Sequence, residues 1–263
     1  MSTNLIVFDG FLTVDRRELH VQHIAAPHER PTMVFLHEGL GSVLLWRDFP
    51  QRVAAACGVG ALVYSRYGNG ESAILTEARA VRYMHDEALM VLPELLRMLA
   101  IERPVLYGHS DGASIALIYA AAYPKDVRAL ILEAPHLFVE DLSLASISSI
   151  RKRYEGSALR ERMKPHHRDA DRTFYGWNDI WLDPAFRAWN IEGEVRRVQV
   201  PALAIQGSDD EYGTLAQLES LADNARGPVD RLILSGCGHA PHRDRGSFVE
   251  ETIRPWLEDI ARS

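Results

Sequence analysis

The chain has 263 residues, 47% hydrophobic and 25% charged, with a net charge of −7. This is enough to bury one large core, and the lack of any basic block speaks against nucleic acid as a partner. Cys57 and Cys237 are the only cysteines and lie far apart, so free thiols and a cytoplasmic, reducing compartment are expected. The start, MSTNLIVFDG, has no basic region and no long apolar core. No run of about 18 apolar residues occurs, so neither a signal peptide nor a membrane span is expected.

In chain order, residues 5–8 and 18–24 read as two short strands joined by a polar connection over 9–17. Leu19 and Val21 alternate with polar residues, as in a half-exposed edge strand. Pro31 opens an apolar strand over 32–36 that ends at His37-Glu38-Gly39-Leu40-Gly41. A helix over 46–57 and a strand over 61–64 follow, then the turn-rich Gly68-Asn69-Gly70-Glu71-Ser72. A long amphipathic helix is expected over 83–100, with Pro93 as a kink or a second start. Residues 104–107 form a strand, 113–122 a small-residue helix, and 127–132 another strand. Between these strands and the next, over 202–205, lies a charged and aromatic stretch with Trp177, Trp181, Phe186 and Trp189. That aromatic density suits an inserted helical cap over 136–198 better than a solvated loop. A helix over 215–224, a strand over 231–234 and a helix over 247–261 complete the chain. The β-α rhythm with near-continuously apolar strands predicts a doubly wound, mostly parallel α/β sheet, with a core of 1–135 and 199–263. Its ligand site belongs at the carboxyl ends of the strands.

Gly108-His109-Ser110-Asp111-Gly112 stands between a strand and a helix. A serine at such an apex adopts a cramped backbone, and the flanking glycines let strand and helix pass closely. The amide of Asp111 then points at a developing oxyanion. A serine hydroxyl needs a base, and the base needs a partner that fixes its tautomer. His239, between Gly238 and Ala240 after a late strand, fits the base; His242 is the competitor. Asp210 fits the acid, with Asp209 second and Glu133 an outside candidate. The spacing of His239 and His242 lacks zinc-site logic, so no metal and no cofactor are expected. His109 reads as a packed strand-end residue, and Cys237 lacks an elbow that would make it a nucleophile.

With these motifs the chain, from about residue 19 to its end, resembles the α/β-hydrolase superfamily. The order Ser110, Asp210, His239 is that family's nucleophile–acid–base order. The resemblance implies an oxyanion loop at His37, where Glu38 replaces the usual glycine. Position-by-position matching makes Gly39 the second oxyanion donor, and a one-residue shift would make it Leu40. Glu38 then either braces the loop or meets substrate. The later turn, often Asp-x-Arg-Gly in relatives, has Ser65 and Tyr67 at those places. Glu38, Leu40, His136, Trp177 and Trp181 are candidate substrate contacts, and Trp46 either lines the pocket or packs beneath it.

The function this implies is hydrolysis of small carboxylic esters through an acyl-enzyme. The same fold also suggests two alternatives: carbon–carbon cleavage of ring-fission diketones or related lyase and cofactor-free oxygenase chemistry, and a ligand-binding receptor. A serine at the elbow disfavours epoxide hydrolases and dehalogenases, which use aspartate there. The expected partner is a small-molecule substrate, with no nucleic acid and no membrane, and a homo-oligomer is compatible with the sequence.

Overall fold

Apolar runs that can be buried on both faces collect into one sheet. The computed structural model describes residues 8–155 and 158–262. Among the described residues the strands are β1 (Phe8–Val14), β2 (Arg17–Ile24), β3 (Thr32–Leu36), β4 (Gly60–Tyr64), β5 (Val105–His109), β6 (Ala129–Glu133), β7 (Ala202–Gly207) and β8 (Val229–Leu234). Helices α1 (Phe49–Cys57), α2 (Tyr83–Asp86), α3 (Leu92–Met98) and α4 (Asp111–Ala122) alternate with the strands. Between β6 and β7 lie α5 (Asp141–Glu155), α6 (Ala158–Met163), α7 (Ala170–Leu182) and α8 (Glu192–Val195). The chain then forms α9 (Ala216–Asn224), α10 (Pro241–Asp244) and α11 (Gly246–Arg262).

The sheet runs in the order β1-β2-β4-β3-β5-β6-β7-β8. β2 pairs antiparallel with β1 and β4, and the pairs from β4 through β8 are parallel. Chain order reverses direction between β3 and β5, which pair through Leu36 and Gly108. A crevice opens at such a switch point, because the connections leave in opposite directions. The loop after β3 and the turn after β5 therefore meet there.

Alternation within each strand sorts the core into two layers. Met33, Phe35, Val63, Tyr107 and Ile131 pack with α1 and α11 on one face. Val34, Leu36, Leu62, Leu106 and Leu132 pack with α2, α3, α4 and the β6–β7 helices on the other. α4 is buried from Asp111 through Ala121, held between the sheet and those helices. Small side chains suit it because both of its faces are covered.

Several boundaries differ from the sequence reading. The polar connection over 9–17 is mostly strand: β1 and β2 form a hairpin turning at Asp15 and Arg16, whose φ angles are 46° and 61°. The open face of β1 carries Asp9, an exposed Phe11 and Thr13, so apolar and polar residues do not alternate cleanly along it. The rest of the expected first strand, residues 5–7, lies outside the described residues. α1 begins at Phe49 rather than at 46, after a 3₁₀ turn over Leu44–Trp46. The expected helix over 83–100 is broken by a π-turn over Glu87–Val91 just before Pro93. Proline lacks the N–H for the carbonyl four residues back and its ring crowds that carbonyl, so the preceding turn widens. α10 was not anticipated. No described helix is long and apolar enough to cross a membrane.

The β5–α4 junction leaves no room for side chains at its glycines. A Cβ on Gly112 would stand 1.9 Å from the Leu36 carbonyl oxygen, and one on Gly108 would stand 2.4 Å from the Gly112 carbonyl oxygen. Gly112→Ala should therefore destabilise the fold by about 1–3 kcal/mol or more. Urea denaturation checks this, and an unchanged midpoint would refute the close approach.

Candidate active site

Ser110 sits at the tip of the β5–α4 turn with φ 55° and ψ −119°, a conformation that non-glycine residues rarely adopt. Its own amide is bonded to the Glu133 carbonyl at 2.9 Å, which anchors the turn to β6. Asp111, the first residue of α4, has an amide with no acceptor inside the helix. Its carboxylate is turned away: Oδ2 accepts from the Tyr83 hydroxyl at 2.7 Å and lies 3.5 Å from the Arg66 guanidinium.

The loops after β7 and β8 bring two further expected residues together. The His239 Nδ1 is 2.8 Å from Asp210 Oδ1. That same oxygen accepts from the amides of Tyr212 at 2.8 Å and Gly213 at 3.2 Å, while Oδ2 accepts from Gln206 at 3.1 Å. Burial alone would raise the Asp210 pKa, but the His239 hydrogen bond, the His239 charge and the Tyr212 amide outweigh it and hold the carboxyl below its usual range. Asp209 instead accepts from Ser208 on the exposed side. Glu133 partners His242, with Oε2 to Nδ1 at 2.6 Å, and the His242 ring rests 4.6 Å from Trp46 and 5.4 Å from Phe49. Burial keeps His242 below its ordinary range, so it donates as a neutral ring to an ionised Glu133. Trp46 thus packs beneath the site rather than lining it.

Ser110 and His239 line one cavity of about 560 Å³. Glu38, Gly39, Leu40, His136, Trp177 and Trp181, all singled out from the sequence, line it too. His136 is buried between Trp181, with ring centres 5.0 Å apart, and His239, at 5.8 Å. Burial first, then the His239 charge, pushes the His136 pKa down to about 4. A ring kept neutral there suits an apolar or hydrogen-bonding neighbour better than an anion. Cys237 faces Asp244, and burial pushes its thiol up to about 11, which removes it as a nucleophile at neutral pH.

The loop after β3 is held by residues that composition alone did not mark. The Gly41 amide is taken by the Glu38 carbonyl at 3.0 Å, closing a turn whose central residues, Gly39 and Leu40, both line the cavity. Asn69, from the Gly68-Asn69-Gly70 turn, donates to the carbonyls of Gly39 at 3.0 Å and Gly41 at 3.1 Å. Arg79 holds Asn69 in turn at 2.9 Å. Arg66, fully buried, donates to the carbonyls of His37 and Glu38 at 3.2 and 2.8 Å. Glu38 braces the loop as well, through Arg243 at 3.0 Å. The sequence signal was the glycine-rich turn itself, but nothing in it said which carbonyls it would hold. The helices between β6 and β7 close the roof: the Trp177 indole lies where a Gly39 side chain would be, and Trp181 donates to the Tyr83 hydroxyl at 3.1 Å.

Among the described residues, one group has metal-ligand chemistry: His109, Glu133 and His242, with donor atoms within 4.8 Å of one another. In it Glu133 and His242 are bonded to each other, and His109 is bonded to the His239 carbonyl at 2.7 Å.

A sheet with this topology, a strained serine after β5 and a histidine–aspartate pair after β8 and β7 define the α/β-hydrolase class. The sequence profile of the alpha/beta hydrolase family matches residues 33–252, and the chain belongs to that family. It is similar to the proline iminopeptidase of Lactobacillus delbrueckii subsp. lactis, 22% identical over 95% of this chain and 98% of that protein. Among solved structures it is similar to VinJ, with TM-score 0.75 and 21% identity over 97% of this chain and all of that one. It is also similar to the enol-lactonase from Burkholderia xenovorans, with TM-score 0.73 and 19% identity over 94% and 99% of the two chains.

Asn69→Ala would leave the buried Gly39 and Gly41 carbonyls without their donor. The expected cost is about 1–3 kcal/mol, the penalty for stranding buried acceptors. Thermal or urea unfolding measures it, and a change within error would mean the loop is held by other bonds.

Proposed function

We propose that the protein is a serine hydrolase of small carboxylic esters, working through Ser110, His239 and Asp210. The observation that carries this reading is the 2.8 Å bond from His239 to Asp210 beside a cavity that the strained Ser110 also lines. Asp210 accepts the Nδ1 proton, which leaves Nε2 of His239 as the base. His239 takes the Ser110 proton as Oγ attacks the carbonyl. The amides of Asp111 and of Gly39, or Leu40 in the shifted register, hold the developing oxyanion, and each such donor typically contributes about 3 kcal/mol. The leaving alcohol receives the proton, and water activated by the same histidine then releases the acid. Apolar walls of Leu40, Ile147, Met163, Trp177 and Trp181 suit a compact apolar acyl or aryl group.

A second reading is release of an N-terminal residue from a peptide. The relatives named proline iminopeptidase favour it. The carboxylates of Glu211 and Asp244 on the cavity wall, beside Arg162 and Arg243, would suit a free amine. The acyl-enzyme chemistry is the same, with an amine as the leaving group.

Side-by-side rates with 4-nitrophenyl butyrate, prolyl-4-nitroanilide and an aryl vinylogous diketone separate these readings from carbon–carbon hydrolysis. The ester is expected to be turned over fastest, and preference for the anilide would move the assignment to the peptidase. Slow turnover of every compound with tight product retention would indicate a receptor. Ser110→Ala should lower kcat/KM by at least about a thousandfold. Undiminished turnover by the pure variant would end the serine mechanism. Asp210→Asn should cost about 10⁴-fold in kcat by favouring the wrong tautomer of His239. Asp209→Asn should leave kcat near the wild-type value, and the reverse pattern would reassign the acid.

A further inference from the structure

Tyr83 opens α2, is buried, and is not among the residues that line the cavity. Its hydroxyl is shared by the roof and the serine turn. The Trp181 indole of α7 donates to the oxygen at 3.1 Å, and the Tyr83 hydroxyl donates to Asp111 Oδ2 at 2.7 Å. The ring supports the other loop. The Arg79 guanidinium lies 5.3 Å from its centre, and Arg79 bonds Asn69, which donates to the Gly39 and Gly41 carbonyls. One tyrosine therefore meets the roof, the start of α4 and the support of the turn after β3.

The direction of these bonds is forced. An indole N–H can only donate, so the Tyr83 oxygen accepts from Trp181. A carboxylate can only accept, so the single phenolic proton goes to Asp111. Burial and the Asp111 charge hold the Tyr83 phenol well above its ordinary pKa, so that proton stays in place. Asp111 depends on it. Among the described residues, its Oδ1 is buried with no hydrogen-bond partner, and Oδ2 has, besides Tyr83, only the Arg66 guanidinium 3.5 Å away. Loss of the Tyr83 bond would leave the carboxylate to swing toward Arg66. Asp111 is the first residue of α4, so its amide would move with it.

We propose that Tyr83 is a positioning residue: its hydroxyl, oriented by Trp181 of the roof, holds Asp111 so that the Asp111 amide faces the developing oxyanion. This rests on the reading of Ser110 as the nucleophile and of that amide as an oxyanion donor. Such a donor bonds more strongly as charge develops on the oxygen, so displacing it costs more in the transition state than in the bound substrate. Loss of the hydroxyl therefore slows turnover and leaves substrate affinity unchanged.

The test compares kcat and KM for 4-nitrophenyl butyrate across variants. Tyr83→Phe keeps the ring against Arg79 and removes the hydroxyl. Its kcat is expected to fall about tenfold or more, with KM within about twofold of the wild type. Tyr64→Phe is the control: that hydroxyl is equally buried and donates to Glu87 at 2.7 Å rather than to Asp111. It should lower thermal stability and leave kcat near the wild-type value. Trp181→Phe removes the roof's N–H. Its loss in kcat and that of Tyr83→Phe should fall short of adding in the double variant, because both bonds use one hydroxyl. Wild-type kcat in Tyr83→Phe overturns the positioning role, and so does a change confined to KM. An equal fall in Tyr64→Phe overturns it too, since any lost buried bond would then suffice. Fully additive losses in the double variant overturn the link to the roof. Full turnover by Ser110→Ala would instead refute the serine mechanism, whereas an inactive Ser110→Ala beside an unimpaired Tyr83→Phe refutes the role of Tyr83 alone.

Discussion

Ser110 keeps its strained backbone because β5 and α4 meet at van der Waals distance across Gly108 and Gly112. Any side chain there would push the helix off the sheet, and the turn would relax into an ordinary connection. The strain is borne by the core: α4 is buried on all sides, and the strands beneath it are covered on both faces. A large, well-packed interior can hold a local distortion of about 1–3 kcal/mol without unfolding. The position of Ser110 is thus a consequence of packing.

Around that junction, buried charge performs a second positioning task. Arg66 is buried within reach of Asp111 and the His37 and Glu38 carbonyls, so one guanidinium links the start of α4 to the turn after β3. Its planar fork of donors suits several acceptors at once, which a lysine could not match. On the other side, Glu133, His242, His109 and Glu38 connect β6, α10, β5 and the same turn. Such groups cost desolvation energy. They persist where their bonds fix geometry that apolar packing, being non-directional, leaves loose.

Helices α5 to α8 complete the cavity instead of enlarging the sheet. Their aromatic side chains serve two purposes. Tyr154 stacks on Phe174 and Phe186 packs against Trp181 and Trp189, while Trp177 and Trp181 face the site and touch the core through Gly39 and Tyr83. The roof is therefore joined to the β3 loop and to α2. A substrate between them would meet an apolar ceiling above and polar groups below.

The sequence by itself determined the strand–turn–helix apex at Ser110, the parallel sheet and the helical stretch after β6. Those features rest on local pattern: glycine spacing, apolar runs and aromatic density. It also set the order Ser110, Asp210, His239, because strand ends place such residues on one rim. It ranked Asp210 before Asp209, although adjacent residues share composition and differ only in direction. In the tertiary structure the Tyr212 and Gly213 amides hold Asp210 inward against His239, while Asp209 faces solvent. It likewise sent Glu133 to His242, made Glu38 a brace, and gave His109 its two partners. These last four contacts join residues 71 to 205 positions apart in the chain, and no local pattern encodes such meetings.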